Sequence, residues 1–303
     1  MNSKLLGFIL VLASALAYSW KAIFIKLAYA YPVDAITLLT LRMLFASPFY
    51  VLALILTKKN ATAQQIPSGK RLYQIIFVSI LGFYLSSILD FEGLKYIDAS
   101  LERIILFSYP TLVVVFSAIL FKAVITKNQV AALCITFTGL MFTFYGELDS
   151  NQINLIRGSA FVFGAAITFA LYYLGSSRLI PVFGPIRFTA YALLIATLIT
   201  TTHFLIIHPL DVLAQPWPVL GWSACMAVVS TVLPTFLLSS GMHRIGPQTS
   251  SIISTIGPIS TIFIASILLG EVLIIQQIIG AILVVIGVIT VGLKGRARKV
   301  APE

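Results

Sequence analysis

Residues 241–287, which read GMHRIGPQTSSIISTIGPISTIFIASILLGEVLIIQQIIGAILVVIG, contain the pattern that decides the fold. The stretch predicts an apolar helix interrupted at Gly257-Pro258, a tight turn at Gly270-Glu271 and a second apolar helix. Residues 93–139 follow the same plan 148 positions earlier, and ten of the 47 aligned positions are identical. The identities include two glycines, a proline and a glutamine, which two arbitrary apolar segments would not share. A fixed internal offset of this kind indicates that the chain arose by duplication.

The composition is that of a membrane protein. Of the 303 residues, 59% are hydrophobic and 10% are charged, whereas soluble domains carry about 25% charged residues. Apolar runs of about 18 or more residues recur along the chain, and each is long enough to cross a bilayer as a helix. The sequence therefore predicts a polytopic, all-α protein of the cell membrane.

The net charge of +10 does not indicate a nucleic-acid partner, because most basic residues lie in loops and tails beside apolar segments. The two cysteines, Cys134 and Cys225, lie inside apolar runs and form neither a zinc spacing nor a disulfide framework. We interpret them as small apolar packing residues. The N-terminal run resembles a signal peptide but continues to about Tyr29, so we expect it to be retained as a first span.

The apolar runs predict ten transmembrane spans. They lie at about residues 5–29, 33–56, 72–95, 99–121, 128–146, 156–179, 185–207, 218–241, 247–269 and 273–293. With the N-terminus inside, fourteen of the twenty basic residues fall on the inner side, which predicts that both termini are cytoplasmic. Residues 1–146 and 147–303 then form two five-span repeats, and the odd number of crossings inverts the second repeat.

An inverted repeat favours a carrier. Many secondary transporters are built in this way, because two such halves have two nearly equivalent packings, one open to each side of the membrane. Alternating access then requires only that one half rocks against the other. The alternative is that duplication simply built a helix bundle.

Short motifs, in order along nearly the whole chain, resemble those of the drug/metabolite transporter superfamily in its EamA-type ten-span branch. The motifs are Leu41-Arg42-Met43-Leu44-Phe45-Ala46, Gly93-Leu94-Lys95-Tyr96-Ile97, Tyr109-Pro110, Gly257-Pro258 and Leu268-Leu269-Gly270-Glu271. Tyr18-Ser19 departs from the pattern, since the family often has Trp-Gly there, and Lys122-Ala123 stands where the second half has Gly-Glu. The resemblance implies a carrier for small organic solutes, often amino acids or related metabolites, frequently in the export direction.

Ionisable residues inside the predicted spans are candidates for the site, because a charge at the bilayer centre costs about 2.5–3.5 kcal/mol. They cluster in the first repeat: Lys21, Lys26, Arg42, Asp90, Glu92, Glu102 and Arg103. Helical spacing and the aromatic and hydroxyl groups of facing spans predict a substrate pathway formed by Tyr18, Lys21, Asp90, Glu102, Tyr109, Tyr172, Ser250 and Ser254. For the charged members, a purely structural set of ion pairs is the alternative.

The other charged residues are given different roles. Glu92, Lys95 and Arg103 are predicted to anchor the interface or lock helices together, while Lys26 and Arg42 are predicted to snorkel outward or to pair with acids.

The second repeat carries hydroxyl groups where the first carries charges. At the 148-residue offset, Glu102 corresponds to Ser250. One charged wall and one hydroxyl wall favour a polar or zwitterionic solute. Pro110 and Pro258 occupy matching mid-span positions, and together with Gly257 they are predicted hinges that flank the solute site.

The sequence predicts a transporter rather than an enzyme. It contains no GxxxxGK[ST] phosphate-binding loop, and its three histidines have no ligand spacing. We therefore predict no cofactor and no metal, with a small-molecule solute and the lipid bilayer as partners and a monomer as a sufficient unit. A flippase for lipids or other amphiphiles is the main alternative function, and proton coupling through Asp90 or Glu102 is left open.

Overall fold

The computed structural model describes residues 3–57, 67–122, 127–146, 152–245, 250, 253, 254, 256–272 and 274–293, and this part of the chain is almost entirely helical. Its α-helices are α1 (Ser3–Tyr18), α2 (Trp20–Ala28), α3 (Ala35–Thr57), α4 (Gly69–Ser79), α5 (Ser86–Gly93), α6 (Ala99–Leu106), α7 (Tyr109–Phe121), α8 (Lys127–Gly146), α9 (Gln152–Phe183), α10 (Pro185–Ile207), α11 (Trp217–Ala227), α12 (Leu233–Ile245), α13 (Ile256–Leu268) and α14 (Ile275–Leu293).

The helical membrane architecture is confirmed. Seven stretches of the described chain are long and apolar enough to cross a membrane: Ser3–Ala28, Ala35–Thr57, Gly69–Gly93, Ala99–Leu120, Ile153–Phe183, Pro185–Ile207 and Trp217–Ile245. Three shorter apolar helices, Val130–Phe142, Ile256–Leu268 and Ile275–Gly287, lie where three further spans are predicted. The count of ten and the cytoplasmic position of both termini stay predictions, and part of the predicted span 247–269 lies outside the described residues.

Two spans of the first repeat are broken in the middle. Span 1 is interrupted at Ser19, between α1 and α2, and span 4 is interrupted at Phe107 and Ser108, between α6 and α7. Pro110 lies in the first turn of α7, where its missing N–H is no loss and its fixed φ favours the helix. Pro258 is the third residue of α13, which is described from Ile256 onward. Pro110 therefore stands at a helix start rather than at a bend within a continuous helix.

Spans 3 and 8 each contain a π-helical turn. The turns are Ile80–Leu85, between α4 and α5, and Val228–Val232, between α11 and α12. Their first residues are 148 positions apart, which is the offset of the sequence repeat. A π-helical turn accommodates an extra residue and occurs mostly at functional sites.

The two repeats contact each other through reciprocal helix pairs, α1 with α12 and α5 with α9. A Cβ atom on Gly241 would lie 3.0 Å from the carbonyl oxygen of Gly7, and a Cβ atom on Gly93 would lie 3.0 Å from that of Gly158. Such close approach lets helices gain van der Waals contact in lipid, where the hydrophobic effect does not drive their association. Exchanging the two repeats maps one contact onto the other, as a two-fold relation requires.

The last helices of the two repeats cross in the same reciprocal manner. A Cβ atom on Gly139 of α8 would lie 2.8 Å from the carbonyl oxygen of Gly280, and a Cβ atom on Gly287 of α14 would lie 3.0 Å from that of Ala132. Gly139 is equivalent to Gly287, and Ala132 is equivalent to Gly280, at the 148-residue offset. The helices α8 and α14 therefore contact each other through equivalent surfaces.

The expectation that both cysteines pack inside the protein is wrong, because Cys134 of α8 and Cys225 of α11 are exposed. In a membrane protein, an apolar side chain is favourable on the lipid-facing surface as well as in the core. Hydropathy therefore does not separate the two locations.

Candidate functional site

A cavity lies between the two repeats, with an empty volume of about 880 Å³ including the space at its mouth. Its charged lining residues are Lys21, Arg42, Asp90 and Arg103, all from the first repeat. Hydroxyl groups of the second repeat, from Ser230, Thr231, Thr235 and Ser254, form part of the same wall. The aromatic lining residues are Tyr18, Phe83, Phe107, Tyr109 and Phe169. Both π-helical turns contribute, so the two irregular elements meet at one site.

Lys21 joins two buried acids. Its Nζ lies 2.5 Å from Asp90 Oδ2 and 3.6 Å from Glu102 Oε1, and the side chains of Asp90 and Glu102 are 2% and 0% exposed. The three residues come from α2, α5 and α6, so the cluster connects three spans of the first repeat. Within the described chain, Asp90 Oδ1 and both oxygens of Glu102 have no hydrogen-bond partner. The cluster therefore buries carboxylate oxygens whose hydrogen-bonding capacity is only partly used.

Arg42 brings a second cation to the cavity from α3. Its guanidinium lies over the ring of Phe91, 4.9 Å from the ring centroid, and Nη2 donates a hydrogen bond of 3.0 Å to Ser87 Oγ. The residue is only 4% exposed. The structure therefore places Arg42 inside the protein, although snorkelling outward was one of its two predicted roles.

Arg103 brings a third cation, and it faces the start of α13. Its Nη2 lies 3.2 Å from the place that a Cβ atom on Gly257 would occupy. The absence of a side chain at Gly257 therefore makes room for the guanidinium. Arg103 was expected to anchor or lock helices, whereas the structure places it on the cavity wall.

Five of the eight predicted pathway residues line the cavity: Tyr18, Lys21, Asp90, Tyr109 and Ser254. Glu102 does not line it and lies behind Lys21. Spacing along an unbroken helix placed Glu102 and Tyr109 on one face, but the break at Phe107 and Ser108 changes the helical register. Arg103 consequently shares the wall with Tyr109.

Tyr172 and Ser250 also lie outside the lining. The ring of Tyr172 packs behind Phe83 and Phe169, with centroid distances of 4.8 and 5.4 Å, because Gly82 leaves space for it against the first π-helical turn. Ser250 is buried, and its carbonyl oxygen accepts hydrogen bonds from the N–H and the hydroxyl of Ser254, at 3.0 and 2.9 Å.

The break in span 1 is tied to α13 by two hydrogen bonds. Ser19 Oγ donates to the carbonyl oxygen of Gly257 at 3.2 Å, and Thr261 Oγ1 donates to the carbonyl oxygen of Ser19 at 3.2 Å. Ser19 stands where the family pattern often has glycine, and here its hydroxyl provides part of the link. The predicted hinge at Gly257 and Pro258 is therefore held against the break in span 1.

Glu271 binds the start of α6 from the other repeat, which the sequence did not reveal. Its Oε1 accepts a hydrogen bond of 2.8 Å from the N–H of Ala99, and its Oε2 accepts bonds of 3.1 and 2.6 Å from the N–H and hydroxyl of Ser100. A carboxylate satisfies the free N–H groups of a helix N-terminus and suits its dipole.

Two further ion pairs lie away from the cavity. Lys95 Nζ lies 2.8 Å from Glu92 Oε1, and Lys26 Nζ lies 3.9 Å from Asp98 Oδ1. None of these four residues lines the cavity.

The chain matches the model of the EamA-like transporter family twice, over residues 5–145 and 156–293. It is 32% identical over 282 residues to the uncharacterized transporter YcbK of Bacillus subtilis, an alignment that covers 90% of this chain and 88% of that protein. The uncharacterized transporter YyaM of the same organism is 27% identical over 224 residues, which is 73% of each chain. A solved crystal structure with 16% identity has a TM-score of 0.67 and covers 98% of this chain and 97% of its own. The chain is an integral, multi-pass plasma-membrane protein that belongs to the EamA-like transporter family.

Proposed function

We propose that this protein is a secondary transporter that moves small polar organic solutes across the membrane by alternating access. The observation that carries the proposal is the cluster of Lys21, Asp90 and Glu102 beside a cavity between the repeats. Burying these charges is costly, and apolar side chains would hold the helices together at least as well. The cost is explained if the cluster faces a solute for part of the transport cycle.

The reciprocal contacts between the repeats support the alternating-access part of the proposal. Equivalent glycine contacts at Gly241 with Gly7 and at Gly93 with Gly158 would be kept if the two repeats exchanged conformations, so they are compatible with a second packing of similar energy. The helix breaks at Ser19 and at Phe107 and Ser108 lie beside the cavity and supply the points at which the halves can bend.

Counterflow in proteoliposomes tests the proposal. Vesicles that contain the purified protein are loaded with a pool of unlabelled amino acids and related metabolites and are then exposed to single labelled solutes. We expect saturable uptake that is stimulated by the internal pool. Asp90→Asn removes the partner of Lys21 and should lower this uptake by about tenfold or more, equivalent to roughly 1.4 kcal/mol.

Glu92→Gln is the matched control, because it makes the same change from acid to amide two residues further along α5. Glu92 pairs with Lys95 and lies outside the cavity lining, so uptake should be unchanged. Equal losses in the two variants, with normal expression, would contradict a role for the cluster. Flux without saturation or trans-stimulation would indicate a channel instead.

A groove on the surface of the helix bundle favours a second candidate function, the flipping of an amphiphile. It lies between α1 and the α11–α12 region, and it is lined by Leu6, Leu10, Val228, Val232, Leu233, Phe236, Leu237, Ser240 and Arg244. An apolar groove with a cation on the last turn of α12 fits an acyl chain with a polar head group. Transfer of fluorescent lipid between leaflets, without counterflow of any soluble solute, would favour this function.

A further inference from the structure

Two cations of the cavity wall have no acid of the described chain within ion-pair distance. Lys21 pairs with Asp90 and Glu102, whereas Arg42 and Arg103 make no ion pair within 4.0 Å in the described part of the chain. Lys21, Arg42 and Arg103 are three cations, and Asp90 and Glu102 are two acids, so one net positive charge is left. A buried charge without a counter-charge is unfavourable, and buried charges are normally paired.

The two guanidinium groups also have hydrogen-bonding capacity to spare. The Nε atoms of both Arg42 and Arg103 are buried without a hydrogen-bond partner among the described residues. Both residues are more than nine-tenths buried, and both line the cavity. The planar fork of an arginine matches the two oxygens of a carboxylate, so the vacant donors fit this group in particular.

The rest of the wall indicates what the carboxylate is attached to. Aromatic rings from Tyr18, Phe83, Phe107, Tyr109 and Phe169 surround the cavity, and such surfaces bind an apolar body. Asp90 is the one acid of the described wall, and it is already paired with Lys21 at 2.5 Å. An amino acid is a zwitterion and would leave the net positive charge of these residues in place, whereas an organic anion would neutralise it.

We propose that the solute is an organic anion with one carboxylate, an apolar body and no ammonium group, and that Arg103 and Arg42 bind its carboxylate. The inference rests on the proposed transport function and narrows its substrate class. Gly257 belongs to the same arrangement, because a side chain there would meet the Arg103 guanidinium.

Three compounds with the same phenyl ring separate the possibilities. Phenyllactate is an anion, phenylalanine carries an ammonium group in place of the hydroxyl, and phenylalaninol carries the ammonium group without the carboxylate. Each is measured in counterflow with the full-length protein, with protein-free vesicles as the blank. We expect saturable, trans-stimulated uptake of phenyllactate that exceeds the uptake of the other two by at least about tenfold.

Arg103→Gln and Arg42→Gln should each lower phenyllactate uptake by at least about tenfold. Arg103→Lys keeps the charge but loses the fork and should give an intermediate loss. Arg157→Gln, at an exposed position of α9 that is outside the cavity lining and over the ring of Tyr96, is the control and should transport normally. Phenyllactate should also raise the melting temperature of the detergent-solubilised wild type and of Arg157→Gln, but not that of Arg103→Gln.

The outcomes separate this inference from the transport function. Preferred uptake of phenylalanine or phenylalaninol, or full phenyllactate uptake by Arg103→Gln, overturns the anion assignment and leaves the transporter intact. The same holds if none of the three compounds is carried while another soluble solute shows trans-stimulated uptake. Absence of trans-stimulated uptake for every soluble solute overturns the transport function itself.

Discussion

At the scale of single residues, Lys21 is the centre of the buried charges, because among the described residues it is the cation that lies within 4.0 Å of both Asp90 and Glu102. Lys21→Met would leave both acids without their common partner, and breaking a buried ion pair costs about 3–5 kcal/mol. Asp90→Asn leaves Lys21 with Glu102 at 3.6 Å and should cost less. Thermal unfolding in detergent compares the loss of stability in the two variants. A larger loss of stability for Asp90→Asn than for Lys21→Met would contradict the shared-cation arrangement.

Asp34 makes a pH-dependent contribution outside the spans. It lies just before α3, where its carboxylate accepts hydrogen bonds of 3.0 and 2.5 Å from the N–H and hydroxyl of Thr37, with His208 Nε2 at 3.5 Å. Burial raises the pKa of Asp34, but the hydrogen bonds from Thr37 and the charge of His208 outweigh it, and the pKa lies below its usual 3.8.

Because the folded pKa is the lower one, ionised Asp34 stabilises the protein fully above the pKa of the unfolded chain, and this stabilisation is lost as the pH falls through the folded pKa. Asp34→Asn should therefore melt below the wild type at neutral pH, and the gap should narrow as the pH falls below the usual pKa of 3.8. Asp211→Asn changes an exposed acid and serves as the control. A gap that is the same at every pH would contradict the assignment.

Residue-level prediction from the sequence succeeded in span 1. Spacing placed Tyr18 and Lys21 on one face, and both line the cavity although the break at Ser19 lies between them, because the N–H of Ser19 still bonds to the carbonyl oxygens of Ala15 and Leu16. It did not succeed across span 4, because a period of 3.6 residues has no meaning beyond the break at Phe107 and Ser108. The sequence contains a signal for this break, since Pro110 favours the first turn of a helix.

At the scale of helices, the contacts show which glycines are needed for close helix packing and which could carry a side chain. A Cβ atom on Gly241 would lie 2.5 Å from the side chain of Val11 and 3.0 Å from the backbone of Gly7, whereas one on Gly221 of α11 would meet nothing within 4 Å. Gly241→Ala should therefore lower stability by about 1–3 kcal/mol. Gly221→Ala should raise it by about 0.5–1 kcal/mol, because alanine loses less backbone entropy in a helix.

The reciprocal contact provides an internal check on that pair of variants. Gly93 approaches Gly158 as Gly241 approaches Gly7, so Gly93→Ala should destabilise the protein in the same direction. Melting temperatures in one detergent suffice for the comparison. A stabilising effect of either alanine would mean that the helices do not approach as closely as described.

At the scale of the whole molecule, the topology is open to direct measurement. In a background with Cys134→Ala and Cys225→Ala, a single cysteine at Gln64 should react with a membrane-impermeant maleimide only from the cytoplasmic side. A cysteine at Asp211, in the turn Leu210–Leu213, should react only from outside. Labelling of both positions from one side would contradict the predicted orientation of the two repeats.

The architecture was more predictable than the site. The 148-residue offset reports a duplication directly, and the glycine contacts and π-helical turns of the two repeats appear at equivalent positions. Which charges face the cavity depends instead on helix breaks and on distant partners. Glu271 illustrates this, because its hydrogen bonds reach Ala99 and Ser100 of α6, about half the chain away.

The matched π-helical turns also indicate that an insertion preceded the duplication of the gene. Ile80–Leu85 and Val228–Val232 begin at equivalent positions, so the extra residue in each turn is most simply inherited from one insertion made before the gene was doubled. The ancestor was then a single five-span unit that already carried this turn and assembled with an oppositely oriented copy of itself. Fusion freed the two copies to diverge, and the charged residues that line the cavity are now found in only one of them.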